Sequence, residues 1–79
     1  MASTRREQPR RLARKLLAIR QNLGLSQTEM ARALRLKVSY TVVSGYELGT
    51  NEPNLLILLR YARLAKIPVD NLIDDKLDI

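Results

Sequence analysis

LSQTEMARALRLKVSYTVVSGYELG, residues 25–49, divides into two short helical patterns around a turn. Ser26-Gln27-Thr28-Glu29 has the form of a capping box, in which the serine side chain accepts from the Glu29 N–H and the Glu29 carboxylate reaches back to the Ser26 N–H. Met30, Ala31 and Leu34 then mark the inward side of a helix of about two turns, predicted to end near Leu34 or Arg35. Arg35-Leu36-Lys37-Val38 forms the turn. Ser39 is expected to cap the following helix, which runs to about Leu48 and stops at Gly49. Its Thr41-Val42-Val43 run is a poor helix former in isolation, so neighbouring elements must hold it in place. Val38, Val43 and Tyr46 are predicted to point inward, and Tyr40, Thr41, Ser44 and Gly45 outward.

The flanks supply the neighbours. Leu12, Leu16, Ile19 and Leu23 recur at i, i+4, i+7 and i+11 and predict a helix over residues 10–23, ended by Gly24. Pro9 suits its first turn, and Arg10, Arg11, Arg14 and Lys15 are placed on its outer faces. Thr50 to Asn54 is a loop by composition, and Asn54 can cap a helix over residues 55–65. A short last helix is expected near Val69 to Asp74, with Asp70 at its positive end. Residues 75–79 alternate acidic and apolar and are expected to fray. Residues 1–9 are read as a flexible basic arm, 10–75 as the folded domain and 76–79 as a short tail. The fold class is all-α, a compact five-helix bundle.

Composition narrows the chemistry. With 79 residues there is room for one small domain. Apolar residues make up 46% of the chain without a Phe or Trp, so its core must be aliphatic. Cysteine and histidine are both missing, which removes disulfides, thiolate metal sites, the usual general base and the usual nitrogen ligand. No enzyme activity, metal or cofactor is expected. Apolar runs are too short to span a membrane, and the charged N-terminus has no signal-like apolar region, so the expected location is the cytoplasm.

The net charge of +6 is unevenly spread. Residues 1–20 carry seven basic groups and one acid, whereas residues 50–79 carry four basic groups and five acids. A basic front and a mildly acidic back suit a polyanion bound on one side. The helix ending at Leu48 is short, polar outside and braced behind, which is the form of a helix that enters the major groove. Its first N–H groups and the Ser39 hydroxyl can meet a phosphate, and the Gln27 amide can do so from across the groove. Tyr40 offers a ring to a thymine methyl and a hydroxyl to a base edge; alternatively it folds back over Leu36. Gly45 either lets the backbone approach a base pair or packs tightly against another helix, and close approach is favoured. Arg20 and Glu47 read as an ion pair bracing two helices rather than a catalytic acid or base. Arg5, Arg6, Arg10 and Arg11 either follow phosphates or a minor groove, or merely add solubility.

Taken together, residues 23–73 resemble the Cro and phage-repressor helix-turn-helix family, also called the XRE family. The signature is Leu23-Gly24-Leu25-Ser26-Gln27, Met30-Ala31, Leu34, Val38-Ser39, Val43-Ser44, Tyr46-Glu47, Gly49, Glu52-Pro53, Leu58-Leu59, Ala62 and Asp70-Asn71-Leu72-Ile73. The resemblance implies a lambda-repressor-like bundle whose second and third helices straddle the major groove. It further implies a transcriptional regulator, mostly a repressor, bound as a homodimer to a palindromic operator. Gln27 and Ser39 match phosphate-contacting positions, Tyr40, Thr41 and Gly45 base-reading ones, and Val42 and Ser44 the groove edge. Arg20 and Glu47 match an arginine–glutamate brace.

Three departures stand out. Arg35-Leu36-Lys37 replaces the single glycine usual in the turn, which looks like a two-residue insertion and offers Arg35 and Lys37 to the phosphates. Leu48 replaces a phosphate-binding asparagine, a contact that passes to the backbone, Thr50 or Asn51. Leu56 and Ile57 occupy positions that are usually polar, and suggest an apolar patch for a second copy, a different protein or the N-terminal arm. Leu72, Ile73, Leu77 and Ile79 are the other dimer candidates. Two alternatives of the same fold accompany the repressor reading. One is an antitoxin that binds a partner toxin and autoregulates its promoter. The other is an interaction adaptor that no longer reads DNA.

Overall fold

A computed structural model describes residues 8–37 and 39–79. Within them are five helices and no strand: α1 (Leu12–Leu23), α2 (Gln27–Ala33), α3 (Thr41–Leu48), α4 (Leu55–Ala65) and α5 (Asp70–Ile73). α1 is the hub, packing against α3, α4 and α5, while α2 packs against α3. The core is aliphatic except for two tyrosines. Leu16, Met30, Leu34, Val43, Tyr61 and Leu72 are its fully buried members. Tyr46 and Tyr61 meet edge to face, with ring centroids 6.4 Å apart, an arrangement that favours the ring quadrupoles.

The helix ends follow local chemistry. At α2 the capping box is complete: Ser26 Oγ accepts from the Glu29 N–H at 3.1 Å, and a Glu29 carboxylate oxygen accepts from the Ser26 N–H at 2.8 Å. Those bonds hold the Glu29 carboxyl below its ordinary pKa. The Asn54 side chain caps α4 through the Ile57 N–H at 3.0 Å. α1 closes on Gly24 in the left-handed region, with Gly24 N–H and Leu25 N–H returning to the Gln21 and Arg20 carbonyls. α2 and α4 close by the same double return, but Arg35 (φ +58°) and Lys66 (φ +60°) hold the left-handed positions. A side chain there costs about 1 kcal/mol that glycine would not.

Several expectations for side-chain placement are overturned. Lys15, expected on an outer face, is 4% exposed, and its Nζ donates to the carbonyls of Asn71 (2.7 Å) and Asp74 (2.9 Å). It thereby satisfies the end of α5, whose last carbonyls have no partner within the helix. Leu23, expected inside, is 39% exposed at the last position of α1. Ile57 is buried with Leu58, Tyr61 and Ala62 on the inward stripe of α4, so the expected Leu56–Ile57 patch is instead Leu55, Leu56 and Leu59. Leu72, offered as a dimer contact, is fully buried in the core, whereas Ile73, Leu77 and Ile79 are exposed.

Both ends of the domain also differ from expectation. Residues 10–11 form a turn, and α1 begins at Leu12. The Asp75 carboxylate caps that start, accepting from the Arg10 and Arg11 N–H groups at 3.0 Å each. These two bonds hold the Asp75 carboxyl below its usual range. Arg11 also donates to the Asp75 carbonyl at 2.8 Å and pairs with Asp78, while Asn71 Nδ2 donates to the Asp78 carbonyl at 2.9 Å. Residues 75–79 therefore belong to the domain rather than fraying from it. Arg5, Arg6 and Val38 lie outside the described residues.

Candidate nucleic-acid interface

The turn from α2 to α3 brings a polar surface to the start of α3. Ser39 and Thr41 are exposed, Tyr40 is 49% exposed, and Val42 and Ser44 are half-buried. Tyr40, Thr41, Ser44 and Leu48 follow one outer face of the helix. Tyr40 is the residue immediately before α3 and makes no side-chain cap bond. Ser39, the expected cap, lies one position ahead of that residue: its carbonyl accepts from Val42 N–H at 3.2 Å, and its Oγ lies 3.4 Å from Thr41 N. The Ser39 and Thr41 hydroxyls bond each other at 2.6 Å. One of the two donates in that bond, so one hydroxyl proton remains to turn outward, with lone pairs on both oxygens.

Behind this face stands a fixed frame. The Arg20 Nε donates to Glu47 Oε2 at 2.6 Å and its Nη2 to Oε1 at 3.0 Å, a two-pronged pair. Arg20 Nη1 also donates to the Leu25 carbonyl at 3.0 Å. Glu47 is 5% exposed at its side chain and Arg20 17%, so the pair is largely shielded from screening. The bond to Glu47 raises the guanidinium pKa above its already high value. Gln27 Nε2 joins the frame, donating to Glu47 Oε1 at 3.1 Å. One amide hydrogen is thus engaged and the second remains available at the start of α2. This frame ties the end of α1, the α1–α2 loop and the start of α2 to the end of α3. Against the same group packs Tyr61, whose buried hydroxyl has no hydrogen-bond partner and whose pKa burial pushes up.

Gly45 departs from the expectation of an outward, bare position. It is buried, and a Cβ built there would lie 2.3 Å from Asn51 Nδ2 and 2.9 Å from Asn51 Cγ. The open side of the glycine is filled by the chain's own Asn51. Its carbonyl accepts from the N–H groups of Thr50 (3.0 Å) and Asn51 (3.2 Å), and lies 3.4 Å from the Thr50 hydroxyl. The loop after α3 folds back on Gly45, so the close packing is against a loop residue, neither open to a groove nor against another helix as the alternative expectation had it. Asn51 remains exposed as a residue, as do Lys37 and Arg35 on the longer turn.

Sequence reasoning missed that Lys15 caps the end of α5 and that Asp75 caps the start of α1. A signal for Lys15 existed: it stands at i+3 from Leu12 and four residues before Ile19, within the apolar stripe. Nothing in the sequence near Asp75 marks it as the cap of a helix more than sixty residues earlier.

The helix-turn-helix family, designated HTH_3, matches residues 16–72. The chain belongs to this family. It is accordingly a helix-turn-helix regulator of the DNA-binding class. Two curated relatives, both named antitoxin HigA1 and found in two strains of Mycobacterium tuberculosis, are 44% identical over 57 residues. That match takes in 72% of this chain but 37% of each relative, so the chain spans little more than a third of their length. Among solved structures, the P22 c2 repressor in complex with a synthetic operator superposes with a TM-score of 0.71. The superposition covers 81% of this chain and 94% of that one at 23% identity, and it establishes the lambda-repressor-like fold. No helix among the described residues is long and apolar enough to cross a membrane.

Proposed function

We propose that this chain binds duplex DNA sequence-specifically as a homodimer and represses transcription in the cytoplasm by occupying a promoter. The observation that carries the reading is the polar start of α3, with Ser39, Tyr40, Thr41 and Ser44 on its outer side and the Arg20–Glu47–Gln27 frame behind it. Thr41 and Ser44 carry hydroxyls that suit either donor or acceptor edges of base pairs, and the Tyr40 ring suits a thymine methyl. Ser39, Lys37 and the second N–H of Gln27 hold phosphates, and Asn51 adds one from the loop that covers Gly45. Val42 sits at the groove edge. Gly45 acts through that loop rather than by touching a base.

The test is selection of bound sequences from a random duplex library. The expected result is a palindrome with half-sites about one helical turn apart, on the order of 10 base pairs. Enrichment of no sequence, or of an asymmetric single site, would refute the homodimeric reader.

A second reading, an antitoxin that also controls its own promoter, is favoured by the antitoxin relatives and by the exposed Leu55, Leu56 and Leu59. Stable co-purification of one small protein partner in a fixed ratio separates it from the first; a homodimer alone argues against it.

A further inference from the structure

The groove between the end of α2 and the outer side of α4 has an apolar floor, formed by Ala33, Leu56 and Leu64, and a rim of Arg35, Arg60 and Arg63. We infer that this groove docks an acidic amphipathic α-helix of a partner protein. On α4, Leu56, Leu59, Arg60 and Arg63 fall at i, i+3, i+4 and i+7, so leucines and arginines share one face. Leu56 is 53% and Leu59 36% exposed. α4 contains no acidic residue, and no acidic side chain lines the groove. Arg60 is held in place by its own chain, with Nη1 donating to the Leu34 carbonyl at 2.9 Å. The remaining donors of that guanidinium fork, with those of Arg35 and Arg63, suit carboxylates in two-pronged geometry. Arg35 stands at the rim on a left-handed backbone that favours glycine.

A helix laid in a groove supplies both halves of this chemistry: leucine-like anchors for the floor and glutamates for the rim. Phosphate would use only the rim, and Gln27 lies at the opposite end of α2. A second copy pairing through α4 about a two-fold axis would set arginine against arginine. The chain's own acidic and apolar stretch is already engaged, through Asp75 and Asp78, with Arg10 and Arg11.

The experiment titrates the isotope-labelled full chain with a capped peptide of about four helical turns, carrying leucine at i, i+3, i+4 and i+7 and glutamate elsewhere. A lysine-for-glutamate version is the control. The acidic peptide is expected to bind at least about tenfold more tightly than the basic one, since complementary charge fixes partner choice. Amide shifts should concentrate at residues 33–35 and 56–64. Arg63→Glu, at the exposed rim, should weaken binding about tenfold or more while duplex-DNA affinity stays within about twofold. Equal binding of the two peptides, or shifts elsewhere, overturns the proposal. Loss of DNA affinity in that variant makes the rim a phosphate surface, and loss of self-association in Leu56→Ser makes it a dimer contact; either outcome also overturns it.

Discussion

Replacing Lys15 by methionine keeps the length and most of the volume of the side chain while deleting its charge. At an ordinary surface lysine, such a change stays within about 0.5 kcal/mol. Here the ammonium group is 4% exposed as part of its residue and spans two carbonyls at the end of α5, those of Asn71 and Asp74. A hydrogen bond from a charged donor contributes about 1.5–3 kcal/mol, and the relief of desolvating the ammonium offsets part of two such bonds. The expected net loss is about 2–4 kcal/mol. For a domain of this size, 1 kcal/mol moves the melting temperature by about 4–8 °C, so Lys15→Met should lower Tm by about 8–30 °C. Urea denaturation followed by circular dichroism measures the loss, with the exposed Arg14→Met as the control. Hydrogen exchange should show residues 70–78 opening first, because the lysine joins them to α1. A variant within 0.5 kcal/mol of the parent would refute the burial and capping assigned to Lys15.

Three further outcomes are expected. Arg35→Gly, at φ +58°, should stabilise the domain by about 0.5–1 kcal/mol in the same denaturation assay, because glycine adopts that backbone without strain. Gly45→Ala gains about 1 kcal/mol of helix propensity but forces Asn51 aside, at a cost of about 1–3 kcal/mol, and in the Asn51→Gly background that cost should vanish and leave the gain. A double-mutant cycle without coupling would contradict the contact. The Asp75 carboxyl is held low by the Arg10 and Arg11 N–H groups, so its contribution is present above the ordinary carboxylate pKa and is lost as pH falls through the lowered folded value. Asp75→Asn should therefore flatten the fall in stability below about pH 4, which acid titration of unfolding will show.

The five helices were legible because capping and periodicity are local. Ser26 with Glu29 and Asn54 with Ile57 place two helix starts from four residues each, and Gly24 and Gly49 place two ends. The Arg20–Glu47 pair was accessible from its resemblance to a known brace. What stayed hidden depends on contacts distant in sequence. Lys15 looks like one more solvated base until α5 is laid across it. Asp75 looks like part of a fraying tail until α1 supplies two N–H groups. Gly45 was placed outward by helix phase, but Asn51 comes from a loop whose path the sequence does not encode locally. Ile57 and Leu56 are adjacent leucine-like residues in an apolar run, and only the packing of α4 on α1 decides which is buried.

The central claim is that the outer face of α3 reads duplex DNA. Its most direct test is the affinity of the double variant Thr41→Glu, Ser44→Glu for the duplex selected by the parent chain, with folding checked by circular dichroism. Two lost base contacts at about 1–3 kcal/mol each, together with two acids facing a polyanion, predict a fall of more than about a hundredfold with the helical spectrum retained. A folded variant that binds the same duplex as tightly as the parent would contradict the account.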